Sequence, residues 1–123
     1  MMTFNDLLTK TAKGWQWQLP EFFNIAHACV RQHVEKDSGG KTALIIEDER
    51  LGTRELTYTQ LDTLSGQFLF TLRALGIERG DRVLIRLPNS LEYPVTFFGC
   101  LKLGAVAVPT STLLSAAEVA YLA

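Results

Sequence analysis

The sequence predicts an α/β fold, and three of its features carry that expectation. Short runs rich in β-branched residues alternate with longer stretches in which apolar residues recur every three or four positions, the pattern of strands interleaved with amphipathic helices. Between Arg82 and Pro109 a strand-like run, a helix-like run and a second strand-like run follow one another, the order of a βαβ unit with parallel strands. Of the 123 residues, 47% are hydrophobic, and a chain of this length buries roughly two-thirds of its unfolded surface, enough for a packed core.

The elements follow in order. Residues 1–20 show weak periodicity, with Trp15 and Trp17 between Gly14 and Pro20, and read as an irregular N-terminal arm whose aromatic side chains lean on the body. Residues 21–123 read as an incomplete α/β subdomain. Asn24 is suited to cap a helix over about 25–37, with Ile25, Cys29 and the row Ala26, Val30 and Val34 as its apolar stripe, ended by Ser38-Gly39-Gly40. Residues 42–47 (TALIIE) and 54–58 (RELTY) flank a DERLGT turn and predict a β-hairpin. Thr57-Tyr58-Thr59-Gln60 fits a capping box, so a helix is expected over 58–75, with Leu61, Leu64, Phe68, Leu72 and Leu75 inward and Gly76 as its stop. Phe70 falls on the opposite side, facing solvent or a part of the protein outside this chain.

After a turn at Glu78-Arg79-Gly80-Asp81, a strand is expected over 82–87, ending at Pro88-Asn89. Ser90 is the expected cap of a helix over 91–103, with Pro94 in the first turn, where a missing N–H does least harm. That helix is apolar nearly all round and should lie between two layers. Gly104 closes it, a strand follows over 105–109, and a continuous parallel sheet is the expected result. Ser115-Ala116-Ala117-Glu118 forms a second capping box, opening a helix that reaches Ala123 without a stop signal, so the segment reads as cut from something longer.

Twelve basic and thirteen acidic residues give a net charge of −1 with no long block of one sign, which argues against a nucleic-acid partner. Cys29 and Cys100 each stand in an apolar stretch and are expected as buried, reduced thiols, which makes the cytoplasm the expected compartment. No apolar run is long enough for a signal-peptide core or a membrane span, so neither export nor a membrane partner is expected.

Candidate chemistry is sparse. Ser38-Gly39-Gly40-Lys41-Thr42 ends like a phosphate-binding P-loop, but Glu35 stands where the first glycine belongs, and the GKT opens a strand where a P-loop opens a helix. His27 and His33 point to different sides of one helix, and Cys29 with His33 makes only two of the three or four ligands a metal needs. Asp81, Glu92 and Glu118 are isolated carboxylates at turn or helix starts, where they offset helix dipoles. No GxSxG occurs. No catalytic, cofactor-binding or metal-ligating residue is therefore assigned, and the residues alone describe a scaffold.

Three blocks give that scaffold a context. Leu56-Thr57-Tyr58-Thr59-Gln60-Leu61 resembles the L-[TS]-Y-x-E-L signature of the AMP-forming acyl-CoA synthetase and adenylate-forming superfamily, with Gln60 in place of the usual Glu. Leu101-Lys102-Leu103-Gly104-Ala105-Val106-Ala107-Val108-Pro109 resembles its LKAGAxxxP block, and Ala74 to Val83 (ALGIERGDRV) resembles the connector between them. The resemblance spans roughly residues 20–123. It implies a parent ligase that uses ATP, Mg and coenzyme A to turn a small carboxylic acid into an acyl-adenylate and then a thioester. This chain would be an inactive structural part of the large N-terminal domain, partnered by the rest of the enzyme. The run Ser111 to Leu122, with Glu92-Tyr93-Pro94-Val95 and Phe22 to Ala26, is similar to benzoate-CoA and related aryl-CoA ligases. The rival readings are an adenylating enzyme with a carrier-protein acceptor and a free-standing α/β interaction module with an exposed surface around Phe70. Self-association of the isolated chain is also expected, because a cut sheet leaves an unpaired strand edge.

Overall fold

The structure, a computed structural model, describes residues 20–48 and 52–122. The expected arm with Trp15 and Trp17, residues 49–51 of the hairpin turn, and Ala123 lie outside the described residues. Helix α1 is a π-helical turn, His27–Arg31, running directly into an α-helical turn, Gln32–Glu35. Asn24 opens it as expected: its Oδ1 accepts the His27 N–H at 3.2 Å, while its Nδ2 donates to the Leu101 carbonyl at 2.7 Å. Ala26 and Val30 are buried, but Ile25 and Cys29 are exposed, which corrects the wider stripe and the buried Cys29 expected from the sequence. In a π turn the backbone is wider than 3.6 residues per turn, so Ala26 and Val30 share the inward line and Cys29 is carried outward.

Strand β1, Thr42–Asp48, pairs antiparallel with β2, Gly52–Thr57, placing Leu44 opposite Leu56 and Ile46 opposite Arg54, with a bulge near Thr42. The hairpin is as predicted, with β2 starting two residues earlier and Tyr58 passing to the helix. Helix α2, Tyr58–Ala74, has the full capping box at Thr57 and Gln60. It ends in a Schellman motif: the Ile77 N–H donates to the Leu72 carbonyl and the Gly76 N–H to the Arg73 carbonyl, each at 3.0 Å, with Gly76 at φ +81°. Leu61 and Leu72 are buried as expected, but Leu64 is 38% and Leu75 72% exposed, and Ser65 is fully buried. The inward line runs Leu61, Ser65, Phe68, Leu72 because α2 is crossed closely at Ser65; its hydroxyl satisfies itself on the Leu61 carbonyl one turn back.

Strand β3, Arg82–Ile85, and β4, Val106–Pro109, pair in parallel from Arg82 with Val106 to Ile85 with Pro109, and helix α3, Glu92–Leu103, lies between them in sequence. The parallel βαβ expectation holds. The continuous sheet does not: the described strands form two separate two-stranded sheets, because the hairpin closes on itself and hands the chain straight into α2. Ser90 is also not the cap of α3. Leu91 precedes the helix with helical backbone angles and no side-chain cap, and the Ser90 carbonyl instead accepts the Tyr93 N–H at 3.3 Å. Pro94, the third helical residue, has no N–H, so a capping side chain has one donor fewer to serve. Gly104, left-handed at φ +81°, ends α3 in a second Schellman motif through the Ala105 N–H to the Cys100 carbonyl. Helix α4, Ala116–Leu122, starts from the predicted Ser115 and Glu118 capping box.

Two apolar clusters hold these elements. One gathers Leu72, Ile85, Cys100 and Ala105 with Phe68 and Phe97; the other gathers Val30, Leu56 and Leu61 with Val95 and Phe98. Helix α3 supplies Phe97 and Cys100 to the first and Val95 and Phe98 to the second, so it stands between layers, as its all-round apolar surface required.

Candidate functional site

The glycine-rich loop comes first, because its sequence resembles a phosphate cradle. Its carbonyls, not its N–H groups, face the start of α2: the Lys41 carbonyl accepts the Tyr58 N–H at 3.1 Å and the Gly39 carbonyl accepts the Thr59 N–H at 3.0 Å. The Thr57 hydroxyl accepts the Gln60 N–H at 3.2 Å, and the Gln60 side chain accepts the Thr57 N–H at 2.8 Å. The donors at this helix start are thus already taken, and no anion is served by them. Gly39 is needed for a steric reason, since a Cβ there would overlap the Thr59 hydroxyl. The loop is a clasp on α2.

The carboxylates singled out in the sequence each serve their own turn. Asp81 accepts the Glu78 N–H at 2.8 Å, and Glu118 accepts the Ser115 N–H at 2.8 Å and the Ser115 hydroxyl at 2.8 Å. Those bonds, the backbone one foremost, hold Glu118 below the ordinary carboxylate range, and the Ser90 hydroxyl does the same for Glu92. The structure does not bring the three together. His27 and His33 also part company: His27 Nε2 lies 3.2 Å from Glu35, whereas His33 stacks on Tyr58 with ring centroids 4.2 Å apart. Burial pushes the Cys100 thiol up, away from the reactive thiolate.

One constellation was not legible in the sequence. Asp62 on α2 accepts from Lys102 of α3 twice, through its Oδ1 at 2.8 Å and its backbone carbonyl at 2.6 Å, and from Arg31 of α1 at 2.9 Å through Oδ2. Arg31 reaches on to Glu35 at 3.1 Å, so a chain of alternating charge runs His27, Glu35, Arg31, Asp62, Lys102. The Asp62 side chain is only 11% exposed. Burial alone would raise its carboxyl, but hydrogen bonds from Lys102 and Arg31, with their charges, outweigh it and hold the group below the usual range. Every strong donor around this carboxylate is committed to it, so the node fastens three helices and offers no poised proton donor or acceptor.

Beside the node lie two open grooves that share Asn24, His27 and Lys102. The larger, about 880 Å³, is lined also by Phe22, Phe23, Arg79, Leu103 and Gly104. The smaller, about 630 Å³, runs along Gly66, Leu69 and Phe70, and Phe70 is 67% exposed, the outward position its helical phase predicted.

Comparison with known proteins places this scaffold. The family model described as AMP-binding enzyme matches residues 30–123. A long-chain-fatty-acid–CoA ligase of Mycobacterium tuberculosis, FadD13, is 48% identical over 67 residues, 54% of this chain and 13% of that ligase. The acetyl-coenzyme A synthetase of Pasteurella multocida is 35% identical over 106 residues, 86% of this chain and 16% of that enzyme. Among solved structures, a benzoate CoA ligase from Burkholderia xenovorans LB400 superposes with a TM-score of 0.69 at 33% identity, covering 82% of this chain and 19% of the ligase. The chain thus spans less than a fifth of each relative.

Proposed function

The chain belongs to the AMP-binding enzyme family, and on that premise we propose that it is part of the first α/β subdomain of a ligase that joins carboxylic acids to coenzyme A. The whole enzyme activates the acid with MgATP, releasing pyrophosphate, and then passes the acyl group to the thiol of coenzyme A with release of AMP. A carboxylate is inert to a thiol until one of its oxygens becomes part of a leaving group, and this is what adenylation supplies. The observation that carries the reading is the family match across residues 30–123, supported by the two relatives above, a fatty-acid–CoA ligase and an acetyl-coenzyme A synthetase.

Within that enzyme the role of these residues is architectural. The nucleotide, the metal and coenzyme A do not fit the groups described: the donors at the start of α2 are filled, and Asp81, Glu92 and Glu118 are tied to their own turns. No catalytic step is routed through this chain. The acyl substrate we assign is a fatty acid. The 48% identity to the fatty-acyl ligase favours it over the aryl acid suggested by the run Ser111 to Leu122, for which the benzoate CoA ligase is support at 33%. The cytoplasm remains the compartment that suits such chemistry; no helix among the described residues is long and apolar enough to cross a membrane.

The test is pyrophosphate exchange into ATP. Residues 1–123 alone should support none with any acid, whereas a longer chain carrying the segments that follow in the relatives should show exchange that depends on a fatty acid and exceeds that with benzoate. Exchange by the short chain would overturn the architectural role. A folded longer chain silent with every acid would overturn the ligase.

A further inference from the structure

Helix α2 gives one face to the core, and its other face is unlike that of a solvated helix. Of its seventeen residues only Asp62 and Arg73 are charged, whereas a helix face that stays in water normally carries charged residues. Asp62 is itself largely buried, so Thr63, Leu64, Gln67, Phe70 and Thr71 make a neutral exposed strip. Phe70 is the largest apolar side chain on it. Beside that ring is a hole: the smaller groove, about 630 Å³ and mainly apolar, is lined by residues of α1, α2 and α3 and has room for a phenyl group. Gly66, four residues before Phe70, lines it without a side chain, and a Cβ there would meet no atom nearer than Lys102 Nζ at 3.9 Å. The charges at its rim are already matched, Glu35 and Asp62 against Arg31 and Lys102. A strongly acidic or basic partner finds little to attract it there, while a second copy meets no repulsion.

We propose that this strip is a two-fold interface between copies of this chain, with the α2 helices antiparallel and Phe70 of each seated in the groove beside Gly66 of the other. A knob and a hole on one surface make that surface complementary to itself. Because the two lie four residues apart along the helix, each meets its counterpart only when the helices run in opposite directions, which also sets their dipoles against each other. The exchange closes at two copies, whereas contact through open strand edges can continue without limit. A single helix face is small beside the roughly 800 Å² per partner of a stable complex, so the dimer is a weak one.

Sedimentation equilibrium of the full chain should fit exchange between monomer and dimer with no larger species. Phe70→Ser should weaken the dimer at least about tenfold, since the ring is used twice. Gly66→Leu, which fills the hole and leaves the ring in place, should do the same. Ile45→Ser, at an exposed position of the hairpin, should leave the equilibrium unchanged. Far-UV circular dichroism establishes that each variant keeps its helices. Association that survives Phe70→Ser or Gly66→Leu, or that continues past two copies, would put the contact elsewhere and overturn the proposal. A monomer at every concentration would overturn it as well.

Discussion

Asp62 holds α1, α2 and α3 together through one carboxylate, and its replacement should be felt in all three. Asp62→Asn leaves the Lys102 ammonium, 15% exposed, without its counter-charge; breaking a largely buried pair from one side costs about 3 kcal/mol, which urea midpoints would register. The same carboxyl gives the stability a pH dependence. Its folded pKa is depressed, so its contribution is present above the unfolded value near about 4 and is lost as pH falls through the lower folded value. Stability should therefore drop on acidification below about pH 4, and Asp62→Asn should flatten that slope. Thr57→Ala, by contrast, removes one acceptor at a helix start and should cost about 1 kcal/mol; an unchanged midpoint would mean the cap is idle. The contrast explains what was legible. Thr57 and Gln60 are three residues apart and announce each other, whereas Arg31 and Lys102 reach Asp62 from 31 and 40 positions away, and no local spacing encodes that meeting.

The crossing of α2 over α3 shows the same limit one level up. The periodicity from Leu61 to Leu72 was enough to predict the helix and most of its inward face, but not that the closest approach falls on Ser65 and Gly99, because a small residue at a crossing has no hydrophobic signature. A Cβ on Gly99 would stand 2.7 Å from Phe68 Cδ1 and 3.0 Å from the Ser65 carbonyl oxygen. Gly99→Ala should therefore push the helices apart and destabilise the protein by about 1–3 kcal/mol despite improving helix propensity, and a neutral or stabilising result would mean the helices are less closely packed than described. The π turn in α1 is a similar case: the sequence marked a helix with Asn24 at its start, but a 3.6-residue count could not foresee the wider turn that exposes Cys29. Turns and stops were easier. Gly76 and Gly104 both adopt the left-handed conformation for which glycine was expected at those points.

Across the whole molecule, the α/β class, the hairpin and the parallel pairing of β3 with β4 were legible, since each depends on runs of adjacent residues. The division into two sheets was not, because sheet membership is decided by which edges meet in space. Among the described residues each strand pairs on one side only, and Phe70, Val106, Leu113 and Tyr121 are exposed. Open edges and apolar patches of this kind favour association, so light scattering should show the isolated chain growing beyond a monomer as its concentration rises; a clean monomer at high concentration would show that the surface is self-sufficient. The position of α3 between the two clusters bears on how the protein breathes. Neither cluster can loosen on its own without a face of α3 losing its neighbours, so the helix has no private route to solvent. In heavy water its backbone amides should keep their protons longest, released only by opening of the entire molecule, while those of the hairpin wash out earlier through a smaller opening of its own.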